Sequence, residues 1–129
     1  MKPIKFKYIF TDGKEFKSTI LSLPAIENGQ LKAFTNNIPS SFKLVAVCQF
    51  TGAITNNGDE IYDGSILRLT DDYDQSKSIH PVSFIESAFR CERLDDEEFK
   101  YFYLEGNPFL LENYEVIGNI YENKELLEE

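Results

Sequence analysis

The chain has 129 residues, of which 42% are hydrophobic and 14% aromatic, including 11 Phe and 7 Tyr; burying that ring area offsets the entropy of ordering and argues against disorder. No apolar stretch approaches the ~20 residues that a spanning helix needs, and residues 1–10 alternate Lys with apolar side chains instead of forming a signal-peptide block, so neither secretion nor membrane insertion is expected. The net charge of −9 and pI near 4.6 disfavour a nucleic-acid ligand, whose phosphates call for clustered cations.

Ile4, Phe6, Tyr8 and Phe10 alternate with Lys5, Lys7 and Ile9, the period of two that sets an apolar face on a core and a lysine face in water. Thr11-Asp12-Gly13-Lys14 then reads as a hairpin turn and Phe16 to Leu23 as the returning strand. Pro24, Asn28-Gly29, Asn36-Asn37 and Pro39-Ser40-Ser41 punctuate the stretch up to Ser41, leaving at most a short element from Leu31 to Phe34. Lys43 to Phe50 is a buried strand closed by Thr51-Gly52. Asn56-Asn57-Gly58, Glu60-Ile61-Tyr62, Asp63-Gly64 and Ser65 to Leu69 alternate turns with strands.

Beyond a polar loop from Asp71 to Lys77, Pro81 to Ile85 and Ala88 to Arg93 form a strand pair, and the acidic run Asp95-Asp96-Glu97-Glu98 leads to Phe99 to Leu104. In that last segment Phe99, Tyr101 and Tyr103 alternate with Phe102 and Leu104, so both faces are apolar, as in a central strand or an oligomer contact. Tyr114 to Tyr121 closes the sheet with a break at Gly118, and Asn123 caps a short helix from Lys124 through Leu127. Short strands between Gly, Asn and Asp turns, with helix only at the end, predict a mainly antiparallel all-β barrel or sandwich.

Two segments resemble a known family. Gln49-Phe50-Thr51-Gly52 with Asn57-Gly58-Asp59-Glu60-Ile61-Tyr62-Asp63-Gly64-Ser65-Ile66, and the tail from Glu115-Val116-Ile117-Gly118-Asn119-Ile120-Tyr121-Glu122-Asn123 to Leu127, are similar to the signature stretches of the YopX family of phage and prophage proteins. Ser65 stands where that family usually has Asp, and Lys124 where it usually has Pro. The resemblance implies an SH3-like β-barrel over residues 45–129, an N-terminal β-hairpin region over 1–44, a genomic setting in phages or integrated elements and no known activity; with no signal-peptide block or spanning segment, the expected location is the cytoplasm of the bacterial host. Gly52, Gly58, Gly64 and Gly118 fit places that need positive φ or close backbone approach; with Tyr62, Ile117 and Asn119 they form a structural motif, in which Val116, Ile117 and Ile120 offer apolar surface to the barrel.

No catalytic, cofactor or metal site is expected. His80 directly precedes Pro81, which suggests a strand entrance, and it lacks a triad pattern. Cys48, Cys91 and His80 show none of the short spacings of a zinc site, and the two cysteines are expected as reduced thiols. Asp59, Glu60 and Asp63 lack the calcium-loop pattern, and no phosphate-cradling glycine loop occurs.

Residues 1–58 hold seven Lys against three acids, a net +4, while residues 59–129 hold six Lys and Arg against 19 acids, a net −13. This polarity, with Lys5 and Lys7 on the first strand and Phe99, Tyr101 and Tyr103, suggests an interface in a homo-oligomer or with a host or phage protein. The alternative is a nucleic-acid-related role. Lys2, Lys5, Lys7, Lys14 and Lys17 with Phe6, Tyr8 and Phe16 would bind a single strand, or the acidic part would imitate DNA.

Overall fold

The computed structural model describes residues 4–70, 73–85, 88–92, 101–103 and 114–127, with the backbone alone of 84, 85, 88–92 and 101–103. Its strands are β1 (Lys5–Thr11), β2 (Phe16–Ser22), β3 (Lys43–Ile54), β4 (Glu60–Tyr62), β5 (Ser65–Thr70), β6 (Lys77–Ile85), β7 (Ala88–Glu92), β8 (Tyr101–Tyr103) and β9 (Tyr114–Asn119). Two helices, α1 (Leu23–Glu27) and α2 (Gln30–Asn36), precede β3, and a 3-10 turn spans Lys124–Leu127. Antiparallel β structure dominates, and the chain divides into two compact units, Met1–Phe50 and Thr51–Glu129.

The first unit is built on the opening hairpin. Asp12 Oδ1 accepts from the backbone N–H groups of Lys14 and Glu15, both at 2.8 Å, and Thr11 Oγ1 donates to Glu15 O at 2.7 Å, so side chains close the turn with only Gly13 at positive φ. These donors hold the Asp12 carboxyl below its ordinary range. The turn fixes the β1–β2 register from Lys5↔Ser22 to Thr11↔Phe16. On its other side β1 pairs with β3, Phe6↔Gln49 to Thr11↔Lys43, with a bulge that leaves Val45 as the extra residue.

Helix is not confined to the C-terminal end, as the sequence suggested. Ser22 Oγ caps α1 by accepting from Ala25 N, and Pro24 lies in the first turn, where its missing N–H costs nothing and its fixed φ suits a helix. Gly29, at φ +82, turns the chain between the helices. Asn37 Nδ2 donates to Ala33 O at the end of α2. Residues that read as loop punctuation are therefore helix boundaries. Phe34 of α2 meets Phe10 of β1 with ring centroids 5.6 Å apart, which places α2 on the Phe10 face of the sheet. Ile9, Phe10, Leu21, Phe42, Cys48 and Phe50 are the buried apolar residues of this unit.

In the second unit the end of β3 turns into β4 through Thr55-Asn56-Asn57-Gly58-Asp59. Buried Thr55 holds this loop: its N–H donates to Asp59 O, its carbonyl accepts from Gly58 N, and its Oγ1 accepts from Asp59 N. Thr51, also buried, donates through Oγ1 to Ile61 O at 2.7 Å. The remaining strands lie in the order β8-β7-β6-β5-β9. Ile61, Leu67, Val82 and Tyr114 form the core of this unit, with Ala53, Leu69 and Val116 packed against it. Among the described residues no closed barrel forms, since β8 and β9 are the two outer strands of an open sheet. Among the described residues Tyr101 and Tyr103 lie in the outer strand β8, while Phe99 and Leu104 lie outside the described residues.

Candidate functional site

The two signature segments meet along β5 and β9. Ser65 pairs with Asn119 and Ile66 with Gly118, and the next pair is Leu67 with Val116, so Ile117 is the unopposed residue of a bulge. Ile117 is half-buried and lies outside the core cluster, which takes Val116 instead. Past the bulge, Ile120 N–H donates to Gly64 O at 2.8 Å and Gly64 N–H donates to Val82 O at 2.9 Å, tying the β4–β5 turn to both neighbouring strands.

Each motif glycine has its own physical reason. Gly58, at φ +87, has open space where a side chain would stand, so only its backbone conformation calls for glycine. Gly118 has ordinary backbone angles, but a Cβ there would fall on the Asn123 side chain, 2.7 Å from its Cγ. Gly64 combines the two: φ is +89, and a Cβ would stand 2.9 Å from Cε2 of Tyr121. Gly52 turns at φ +90 inside β3.

Asn119 is the hub of the tail. Its Oδ1 accepts from Tyr121 N and Glu122 N, its Nδ2 donates to Glu122 Oε2 at 2.6 Å, and its own N–H donates to Asn123 Oδ1 at 3.1 Å. The sequence identified Gly118 and Gly64 but missed Asn123 and Tyr121 as the groups that approach them; nearness along the tail was the only trace of the Gly118–Asn123 contact, and the Gly64–Tyr121 contact left none. Ser65 is buried, and its Oγ accepts from Tyr62 N at 2.9 Å. An Asp carries an acceptor on a stem equally short, which is why Ser can stand here. Tyr62 donates through its hydroxyl to Glu60 Oε1 at 3.0 Å; burial and that carboxylate push the phenol above its ordinary range.

His80 lies inside β6, opposite Leu67, and not at a strand entrance. Its Nε2 is 2.7 Å from Ser78 Oγ, and its ring stands edge-on to Tyr114 at 5.7 Å. A serine hydrogen-bonded to a histidine is part of many nucleophilic sites, but this ring has no exposed surface, so the pair serves to satisfy a buried polar side chain. Among the described residues no group of three or more His, Cys, Asp or Glu is placed to hold a metal ion, and no helix is long and apolar enough to cross a membrane. Asp59 is half-buried in its loop.

The lysines and rings of the N-terminal hairpin do not share one surface. Because cross-strand partners point the same way, Lys5, Lys7 and Phe16 belong to one face of the first unit's sheet and Phe6, Tyr8 and Lys17 to the other. Lys5 Nζ lies 4.7 Å from the centroid of Phe50 and Lys17 Nζ 5.3 Å from that of Phe42, so each ammonium rides on a buried ring of its own unit. Lys2 lies outside the described residues. Residues 51–58 carry no charge, so the change of sign falls at the boundary between units: Met1–Phe50 carries the +4 and Thr51–Glu129 the −13.

Known proteins share the family and the fold. The family model described as YopX protein matches residues 3–128. The crystal structure of protein EF1440 from Enterococcus faecalis superposes with a TM-score of 0.58 at 24% identity, covering 99% of this chain and all of that one; it shows a shared fold. That of protein yopX from Bacillus subtilis gives a TM-score of 0.49 at 21% identity, covering 95% of this chain and 96% of the other. No curated protein sequence matches.

Proposed function

That the chain belongs to the YopX family is the premise from which we propose that it is a non-catalytic accessory protein of phages and prophages. It acts in the bacterial cytoplasm, and its β units, the second an SH3-like module, bind a protein partner or further copies of the same chain. The observation that carries this reading is the coincidence of the charge boundary with the structural one. Two folded bodies of opposite sign, +4 and −13, give an acidic protein one surface that attracts acidic surfaces, including its own second unit on another copy. Such fields act mainly on encounter rate and orientation, with apolar contacts supplying most of the affinity.

Light scattering across a salt series tests this. Association driven by the opposed units loosens as salt rises, because exposed charges are screened beyond about 8 Å at physiological ionic strength. A mass that does not fall between low and high salt removes the electrostatic self-association. Capture from host lysate then reads for a foreign partner, and a captured DNA-binding protein would favour imitation of DNA by the acidic unit.

A further inference from the structure

The chain has two Asn-Gly steps, Asn28-Gly29 and Asn57-Gly58, and the fold holds them differently. In such a step the amide nitrogen of glycine, with no side chain beside it, can reach the carboxamide carbon of the preceding asparagine. Asn57-Gly58 sits in the loop that Thr55 closes: Gly58 N–H donates to Thr55 O at 2.9 Å and Asp59 N–H to Thr55 Oγ1 at 3.2 Å. Freeing Gly58 N loosens a loop whose anchor is only 4% exposed. Asn28-Gly29 instead joins α1 to α2, and neither helix contains a buried residue. Asn28 N–H donates to Pro24 O and Gly29 N–H to Ile26 O, both at 3.0 Å. With five residues α1 is too short to be stable by itself, and hydrogen bonds exposed to solvent open at a smaller cost than those around a buried anchor.

We infer that Asn28-Gly29 is a site of spontaneous self-modification, gated by opening of the link between α1 and α2. In the closed link ψ of Asn28 is 7°, which sets Gly29 N beside the backbone nitrogen of Asn28 and away from its Cβ, so a five-membered ring closes only after the link turns. Gly29 N then attacks Asn28 Cγ. The new N–Cγ bond replaces the bond from Cγ to the carboxamide nitrogen, which leaves as ammonia, taking up the proton that Gly29 N gives up. Water opens the cyclic imide at either carbonyl, giving aspartate at position 28 or isoaspartate, in which the main chain runs through Cβ and Cγ. No atom is oxidised or reduced, and water is the sole co-reactant. Either product lowers the charge of the first unit from +4 to +3, and the isoaspartyl form adds a methylene to the backbone between Pro24 O and Ile26 O, the acceptors of the link, and α2. The reaction is independent of the association proposed above.

The test keeps the full chain in mildly alkaline buffer, digests samples at intervals, reads the conversion of each asparagine by mass spectrometry and separates the isoaspartyl peptides by chromatography. In the folded chain Asn28 reacts about fivefold or more faster than Asn57. In urea the two steps, chemically alike and no longer held, react within about twofold of one another. A smaller difference in the folded chain, no reaction at either step, a fivefold difference that persists in urea, or a product without isoaspartate overturns the assignment. Ser22→Ala tests the gate, because it removes the Oγ that caps α1 and touches neither reacting atom. It speeds Asn28 by about threefold or more and leaves Asn57 as it was. A rise at both steps would mean global loosening, and no rise at Asn28 a ring closure that does not need the link to open; each overturns the gating.

Discussion

Replacing Gly58, Gly64 and Gly118 one at a time by Ala separates two reasons for a glycine. At Gly58 the added methyl meets nothing and only the positive φ is unfavourable, a cost of about 1 to 2 kcal/mol. At Gly118 the backbone accepts Ala, but the Asn123 side chain must leave. That breaks the bond from Asn119 N to Asn123 Oδ1, for about 2 kcal/mol. Gly64→Ala carries the φ penalty plus displacement of the Tyr121 ring and loses most, about 3 kcal/mol. Urea melts of the three variants give the order. The decisive measurement is a double-mutant cycle between Gly118→Ala and Asn123→Ala, since removing the Asn123 side chain removes both the bond and the obstacle. The two losses then fail to add by about 1 kcal/mol or more. Strict additivity, or a Gly118→Ala loss below about 0.5 kcal/mol, would show that the tail glycine is not there for Asn123.

Three further expectations rest on single contacts. Leu67→Ala, at a position with no exposed surface, costs about 2 to 5 kcal/mol, whereas Ile117→Ala at the half-buried bulge costs under about 1.5 kcal/mol; chemical denaturation compares them. Ser65→Ala leaves the buried Tyr62 N–H without the Oγ acceptor and costs about 1 to 3 kcal/mol, read by the same melts. Tyr62→Phe removes a phenol whose ionisation the fold opposes. Because the folded pKa lies above the unfolded 10.0, the stabilisation is full below pH 10 and is lost as pH rises from there toward the folded pKa. Wild-type stability therefore falls more steeply than the variant's above pH 10. At neutral pH the variant is weaker by about 1 kcal/mol, the worth of a hydroxyl–carboxylate bond to a partly exposed partner.

The sequence by itself determined the local features. Period-two alternation marked β1, Asp12-Gly13 marked its turn, and Asn123 marked the short closing helical turn, because each depends on neighbours a few residues away. The signature segments were equally legible, as was the reversal of charge between residues 58 and 59. Where local signals were ambiguous the sequence misled: Pro24 and Gly29 break a chain in isolation but begin helices when Ser22 caps the first and Phe34 finds Phe10 to pack against. Contacts distant along the chain were decided only by the tertiary structure. The register across β5 and β9 turns Ile117 out of the ladder and brings Gly64 to Tyr121, and the pairing of β1 with β2 divides the basic hairpin between two faces. A side chain's neighbour across a sheet is set by which strands pair and in what register, and a shift of one residue exchanges the two faces, so no local pattern can specify it.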